Sequence, residues 1–143
     1  MSKARSSNPS ASPARPAIGA ARSRNDRRTA GLDAERAVQA WLEARGVRVL
    51  GTNVRVSYLE VDLLVLDGRS VALVEVRTRG QSAWTSGFGS IDGWKRTRLR
   101  RAAERLWRRR LRFLPDVDHV RIDVASVTWK QGHAHVEYVK SAF

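Results

Sequence analysis

The 143-residue sequence contains no cysteine. That excludes a disulfide framework, a thiolate metal site and a cysteine nucleophile, and it suits a reducing cytoplasm. No apolar run approaches the ~18 residues that a membrane-spanning helix needs, so no membrane partner is expected. The opening residues lack the apolar stretch of a secretory signal, which also points to the cytoplasm. A nucleotide-type phosphate loop is missing, because "GFGS" at 87–90 is too short and has no Lys-Ser/Thr after it. No serine sits in a nucleophile-elbow motif. His133 and His135 alternate onto one strand face, but the pattern sets no acid or third imidazole beside them, and His119 stands alone.

Negative charge is also scarce. Lys and Arg number 27 against 14 Asp and Glu, for a net charge of +13. The excess is concentrated in two places. Residues 1–28 hold seven basic residues and one acid, and residues 94–112 hold ten and one. The rest of the chain is close to neutral. Clustered cations of this kind favour a polyanionic partner, because bound phosphates release condensed counterions. Nucleic acid is therefore the expected partner, with a merely well-solvated basic surface as the alternative.

Residues 1–28 are rich in Ser, Ala, Pro and Arg and nearly lack bulky apolar side chains. Such a segment cannot bury enough surface to offset its ordering entropy, so it is expected as a disordered basic tail. From Thr29 the pattern changes. Ala34, Ala37, Val38, Trp41 and Leu42 recur at helical spacing, Glu35 lies at the margin of that stripe, and Gly46 marks a helix stop. "VRVLGTNVRV" reads as a first strand and its extension, and "LEVDLLVLDGRSVALVEVRTR" (59–79) as two strands around a tight turn. A Gly- and Ser-rich loop follows. Its Trp84 and Phe88 suit either packing beneath the loop or stacking on an unpaired base. Asp92 caps a basic helix expected to reach about Phe113, burying Leu99, Ala102, Ala103 and Leu106. "HVRIDVASVTW" and "HAHVEYV" supply two last strands around a "KQG" turn. The order is helix, three strands, helix, two strands. This predicts one domain over 29–143, of the α/β or α+β class, with a mixed β-sheet flanked by helices.

The hairpin at 59–79 carries carboxylates where aliphatic residues would pack better. Strand alternation puts Glu60, Asp62, Leu64 and Leu66 on one face, and Val71, Leu73, Glu75 and Arg77 on one face of the partner strand. Two registers fit. A four-residue loop at 67–70 pairs Leu66 with Val71 and Asp62 with Glu75, whereas a two-residue turn at Asp67-Gly68 pairs Glu60 with Glu75. Either register crowds like charges at about 5 Å between Cβ atoms, and something must neutralise them. A hard divalent cation such as Mg²⁺ would do so with oxygen ligands and several retained waters. A solvated edge hairpin with Glu60–Arg77 ion pairs is the metal-free alternative.

An acid, a strand turn and then Glu-X-basic resembles the core of the PD-(D/E)XK nuclease superfamily. More closely, the chain resembles the YraN-like family of uncharacterised proteins, regarded as endonucleases distantly related to Holliday junction resolvases. The resemblance rests on the order of "GLDAERAVQAWLEARGVRVLGTNVR", "EVDLLVLD", "VALVEVRTR", "GFGSIDGWKRTRLRRAAERLW", "VRIDVASV" and the terminal "AF". It implies a restriction-endonuclease-like fold and a Mg²⁺- or Mn²⁺-dependent endonuclease acting on DNA, branched or damaged DNA included. It also implies a homodimer, since resolvase-like nucleases pair to cut two strands. Asp62 and Glu75 match the catalytic and metal-binding acids. Glu35 and the carbonyl of Val76 match further metal ligands, and Glu60 the acid of the usual Glu-Ile-Asp stretch. Lys95 matches a recurrent lysine after the glycine loop. With Arg96, Arg98, Arg101 and Arg105 it is expected to bind nucleic acid. Arg77 is a departure, because it replaces the motif lysine. Arginine stays charged and cannot act as a base, though it can stabilise transition-state charge, and Lys95 is a candidate to supply the missing ammonium. The alternative is a non-catalytic nucleic-acid-binding protein on a nuclease scaffold.

Overall fold

The computed structural model describes residues 24–79 and 91–143. The expected tail up to residue 23, and the glycine loop with Trp84 and Phe88, lie outside those residues. Helix α1 spans Arg24–Glu43. It begins five residues before the expected Thr29, so the end of the supposed tail is helical. Asp26 in its first turn complements the positive end of the helix dipole. Its C-terminus closes as the apolar stripe predicted. Gly46, at φ +79°, donates to the Glu43 carbonyl and Val47 donates to the Leu42 carbonyl. This is a Schellman motif, in which a left-handed residue costs glycine least.

Strands β1 (Arg48–Val56), β2 (Leu59–Asp67) and β3 (Ser70–Arg79) follow. Helix α2 (Gly93–Arg109) crosses to β4 (His119–Lys130), and β5 (His133–Val139) ends the sheet. The strand order is β1-β2-β3-β4-β5. Neighbours are antiparallel except β3 and β4, the parallel pair that requires a crossover. The fold is therefore a mixed α+β sheet with two helices, as expected.

Each helix covers one face of the sheet. Ala34, Val38 and Leu42 of α1 pack on Leu63, Val65, Ala72, Val74, Ala125 and Val127. Leu99, Ala102 and Ala103 of α2 pack on Val61, Leu73 and Ile122. Alternation along β3 sends Ala72 and Val74 one way and Leu73 the other, which makes it the central strand of a three-layer core. Asp92 caps α2 by accepting from Lys95 N at 2.7 Å. The helix stops at Arg109 rather than near Phe113, and a 3-10 turn at Leu111–Phe113 replaces its last turn. The tighter winding carries Leu111 onto Val71 and Val117, ahead of Pro115.

A buried carboxylate ties β4 to β5 and to the segment after it. Asp123 is fully buried. It accepts from Arg121 Nε at 3.0 Å, from the Tyr138 hydroxyl at 2.7 Å and from Ser141 N at 2.9 Å. Arg121 also donates to Asp67 at 2.8 Å. Burial and the Asp123 carboxylate push the Tyr138 hydroxyl well above its ordinary pKa, so it remains a donor. Asp123→Ala should therefore destabilise the fold by about 3–5 kcal/mol, because it leaves the Tyr138 hydroxyl, the Ser141 N–H and Arg121 Nε without their acceptor, whereas Tyr138→Phe should cost about 1–2 kcal/mol. Urea denaturation measures both; equal losses would mean that the charge pair contributes nothing of its own.

Candidate active site

The hairpin turn settles the register. Leu66 pairs with Val71, and Asp67 with Ser70, so the loop is Gly68-Arg69. Gly68 at φ +60° occupies the first central position, where a type II′ turn demands glycine. Of the two expected registers, the one that places Asp62 opposite Glu75 is adopted. The ladder itself ends at Leu63↔Val74. On the other side, the pairing of β1 with β2 runs Thr52↔Leu63 and then Val54↔Val61, passing over Asn53 and Asp62. Asn53 takes φ +49°, a left-handed conformation that asparagine tolerates better than most residues.

Asp62 thus lies just past the last β2–β3 pair and beside a skipped pair of the β1–β2 ladder. Its carboxylate accepts the Val76 N–H at 2.7 Å, replacing the lost ladder bond. The break also changes the facing of β2. Leu63 and Val65 belong to the α1 side, while Leu59 and Val61 pack on the α2 side. This corrects the expected placement of Glu60 with Asp62, Leu64 and Leu66. Strict alternation does not survive the irregularity, and Glu60 is exposed outside the acid pair.

Glu75 is 3% exposed. Lys95 reaches down from the first turn of α2 and its ammonium contacts Glu75 Oε1. Arg77, two residues along β3, brings Nε to 3.5 Å from the same oxygen. The other oxygen, Glu75 Oε2, is buried without a hydrogen-bond partner. So are Arg77 Nε and the hydroxyl of Ser126, which pairs with Arg77 across the parallel strands. Three unsatisfied polar atoms thus share one face, an arrangement that calls for a ligand. Burial, and then the charge of Glu75, raise the Asp62 pKa to about 6. The Val76 N–H pulls it down, Glu35 pushes it up and Lys95 pulls it down.

The remaining expected residues divide. Glu35 influences Asp62 electrostatically, but its Oε2 is held by Asn53 at 3.1 Å. Among the described residues, no three His, Asp or Glu side chains group closely enough to hold a metal ion. The carboxylates brought together are Asp62 and Glu75, with Glu35 to one side. One or two carboxylates suffice for Mg²⁺, which keeps several waters, and the orphaned Glu75 oxygen fits such an ion.

Lys95, expected on a nucleic-acid face and also as a candidate for the missing ammonium, turns into the acid pair and away from that face. Arg96 also leaves that face. It donates to the Ile91 carbonyl at 3.1 Å and lies over the Phe143 ring at 5.4 Å. Arg98, Arg101 and Arg105 do share a surface, lining a groove of about 560 Å³. Sequence reasoning overlooked Asn53 and Ser126. The "GTN" run inside a strand pattern was a usable sign of a broken ladder for the first. For Ser126 no local sign exists.

Comparison with known proteins finds that the profile described as "Uncharacterised protein family UPF0102" matches residues 34–127. A UPF0102 protein of Sorangium cellulosum is 47% identical over 118 residues, covering 82% of both chains. One of Halorhodospira halophila is 38% identical over 106 residues, covering 74% of this chain and 87% of its own. One of Pseudomonas aeruginosa is 34% identical over 122 residues, covering 84% and 96%.

The Asp62 pKa generates a pH prediction. The folded chain holds this proton up to about pH 6, whereas the ordinary value is 3.8. Stability from this group is therefore fully present below the ordinary value and lost as pH rises through about 6. Asp62→Asn keeps an acceptor for Val76 and removes the charge. It should stabilise the metal-free protein by about 1–3 kcal/mol at neutral pH and by almost nothing near pH 4. Denaturant titrations in chelator at both pH values test this. A gain of equal size at both would rule out a buried-charge penalty.

Proposed function

We propose, for a chain that belongs to the uncharacterised protein family UPF0102, that it is a metal-dependent endonuclease hydrolysing phosphodiester bonds in DNA, branched or damaged DNA included. One observation carries the reading. A half-buried carboxylate, Asp62, lies beside a buried one, Glu75, at a break in the sheet, with a lysine and an arginine against the second. Burying like charges together is unfavourable unless a cation or a chemical task compensates. Asp62, Glu75 and the Val76 carbonyl would hold Mg²⁺ or Mn²⁺, with Glu35 an outer acid. Such an ion, when bound, supplies Lewis-acid polarisation of the scissile phosphate.

The chain's own groups do the rest. Arg77 stays charged and offsets the negative charge that develops on the phosphate. Lys95 is the side chain that compensates for the departure at Arg77. It supplies, from a helix, an ammonium that the motif carries on the strand, and its contact with Glu75 holds it there. Its ammonium carries three N–H donors and so can orient a water. The cationic face of α2 holds the phosphate backbone.

Arg77 at the motif lysine favours one other reading, a nuclease scaffold that binds DNA without cutting it. Nicking of supercoiled and branched DNA separates the two. Wild type with Mg²⁺ or Mn²⁺ should cleave, and Asp62→Ala should reduce cleavage to background. Lys95→Ala should slow it roughly 100- to 1,000-fold, while Arg77→Lys stays within about tenfold. Cleavage no greater than that of Asp62→Ala, alongside salt-sensitive DNA binding by both proteins, would establish the binding-only reading.

A further inference from the structure

The groove beside α2 lies apart from the acid pair and has its own chemistry. Residues 94, 98, 101 and 105 recur at four- and three-residue steps, so Trp94, Arg98, Arg101 and Arg105 form one stripe along the helix. All four line the groove, and its opposite wall is the β1–β2 turn with Tyr58. Arg98 donates to the Tyr58 carbonyl at 3.1 Å, which fastens the turn to the helix. Five arginines and one glutamate line the groove.

Its two aromatic side chains are open to solvent. Tyr58 is 96% exposed and Trp94 is 72% exposed. A tyrosine at a turn tip contributes almost nothing to a core, and an exposed tryptophan leaves a large apolar surface wet. A second copy of this chain is a poor occupant, because it would bring the same arginines against these. A polyanion that also offers flat apolar faces meets both requirements. Cationic grooves with aromatic platforms suit single-stranded nucleic acid, whose unpaired bases stack and whose phosphates pair with arginine. Duplex DNA keeps its bases stacked on each other and offers only phosphates and groove edges.

We infer that the groove between Tyr58 and α2 binds a single-stranded stretch of nucleic acid, with bases stacked on Tyr58 and Trp94 and phosphates along Arg98, Arg101 and Arg105. The inference rests on the nucleic-acid reading above and adds the strand type. The stripe from Trp94 to Arg105 is about 16 Å long, enough for a few nucleotides. Its Trp94 end adjoins Lys95, which touches Glu75. A strand lying in the groove therefore ends beside the acid pair, so unpaired strands next to a junction are the substrates this geometry favours.

Fluorescence anisotropy tests the inference in chelator, so that the result does not depend on cleavage. The probes are a labelled oligodeoxythymidine, a ribo strand of the same length and a duplex of the same length. Wild type should bind one of the single strands more tightly than the duplex. Tyr58→Ala and Trp94→Ala should each weaken single-strand binding about 5- to 100-fold and barely alter duplex binding. Tyr58→Phe and Trp94→Phe should retain it, since a phenyl ring still stacks. Both positions are exposed, and an unchanged circular dichroism spectrum confirms folding. Duplex binding equal to single-strand binding, or alanine variants that bind single strands normally, would overturn the inference and leave the endonuclease reading intact. Dimerisation abolished by the same alanine variants, without loss of single-strand binding, would assign the groove to a second copy and overturn it too. Binding to none of the probes would remove the nucleic-acid reading as well.

Discussion

The Asp62 carboxylate takes the Val76 N–H that a neighbouring strand would otherwise satisfy. The site depends on that bond. It lets β3 part from β2 after Val74 without orphaning a backbone donor, and it holds one carboxylate beside another in a half-buried position. A continuous ladder in this register would also set Asp62 opposite Glu75, but inside a regular sheet. The broken one concentrates them at its end, where Arg77 from β3 and Lys95 from α2 converge on Glu75. The unfavourable burial of like charge is local, and the two hydrophobic layers around it supply the rigidity that keeps it in place.

The helices do more than cover the sheet. Helix α1 presents Glu35 near Asp62 by way of Asn53. The first turn of α2, fixed by the Asp92 cap, presents Lys95 to the acids and Trp94 to solvent. Adjacent residues on a helix differ by about 100° in direction. One turn can thus serve a buried site and an open groove at once. The C-terminal Phe143 draws Arg96 aside, which divides the basic helix into a packing face and a groove face. A uniform positive stripe in the sequence becomes several surfaces with different tasks.

The helices and strands, their order and their mixed pairing were readable from periodicity, caps and turn residues. Ala34, Val38 and Leu42 announced the buried stripe of α1, Gly46 its end, and Gln131-Gly132 the last turn, where both residues take positive φ. These signals are local, set by steric preferences within a few residues. The resemblance to a known motif singled out Asp62, Glu75 and Arg77. The sequence alone could not choose between the two hairpin registers, because both satisfy the same alternation. The choice came with the turn itself, where Gly68 takes the first central position and Leu66 pairs with Val71.

The sequence by itself determined the two-helix, five-strand order, the caps and the concentration of charge on α2. Those follow from side-chain size, polarity and backbone freedom along short stretches of chain. Only the tertiary structure decided that Lys95 serves Glu75, that Ser126 stands beside Arg77, and that Tyr58 and Trp94 face one groove. Such contacts join residues 20, 49 and 36 positions apart. Their distances are fixed by how the helices settle on the sheet, and no local preference encodes that.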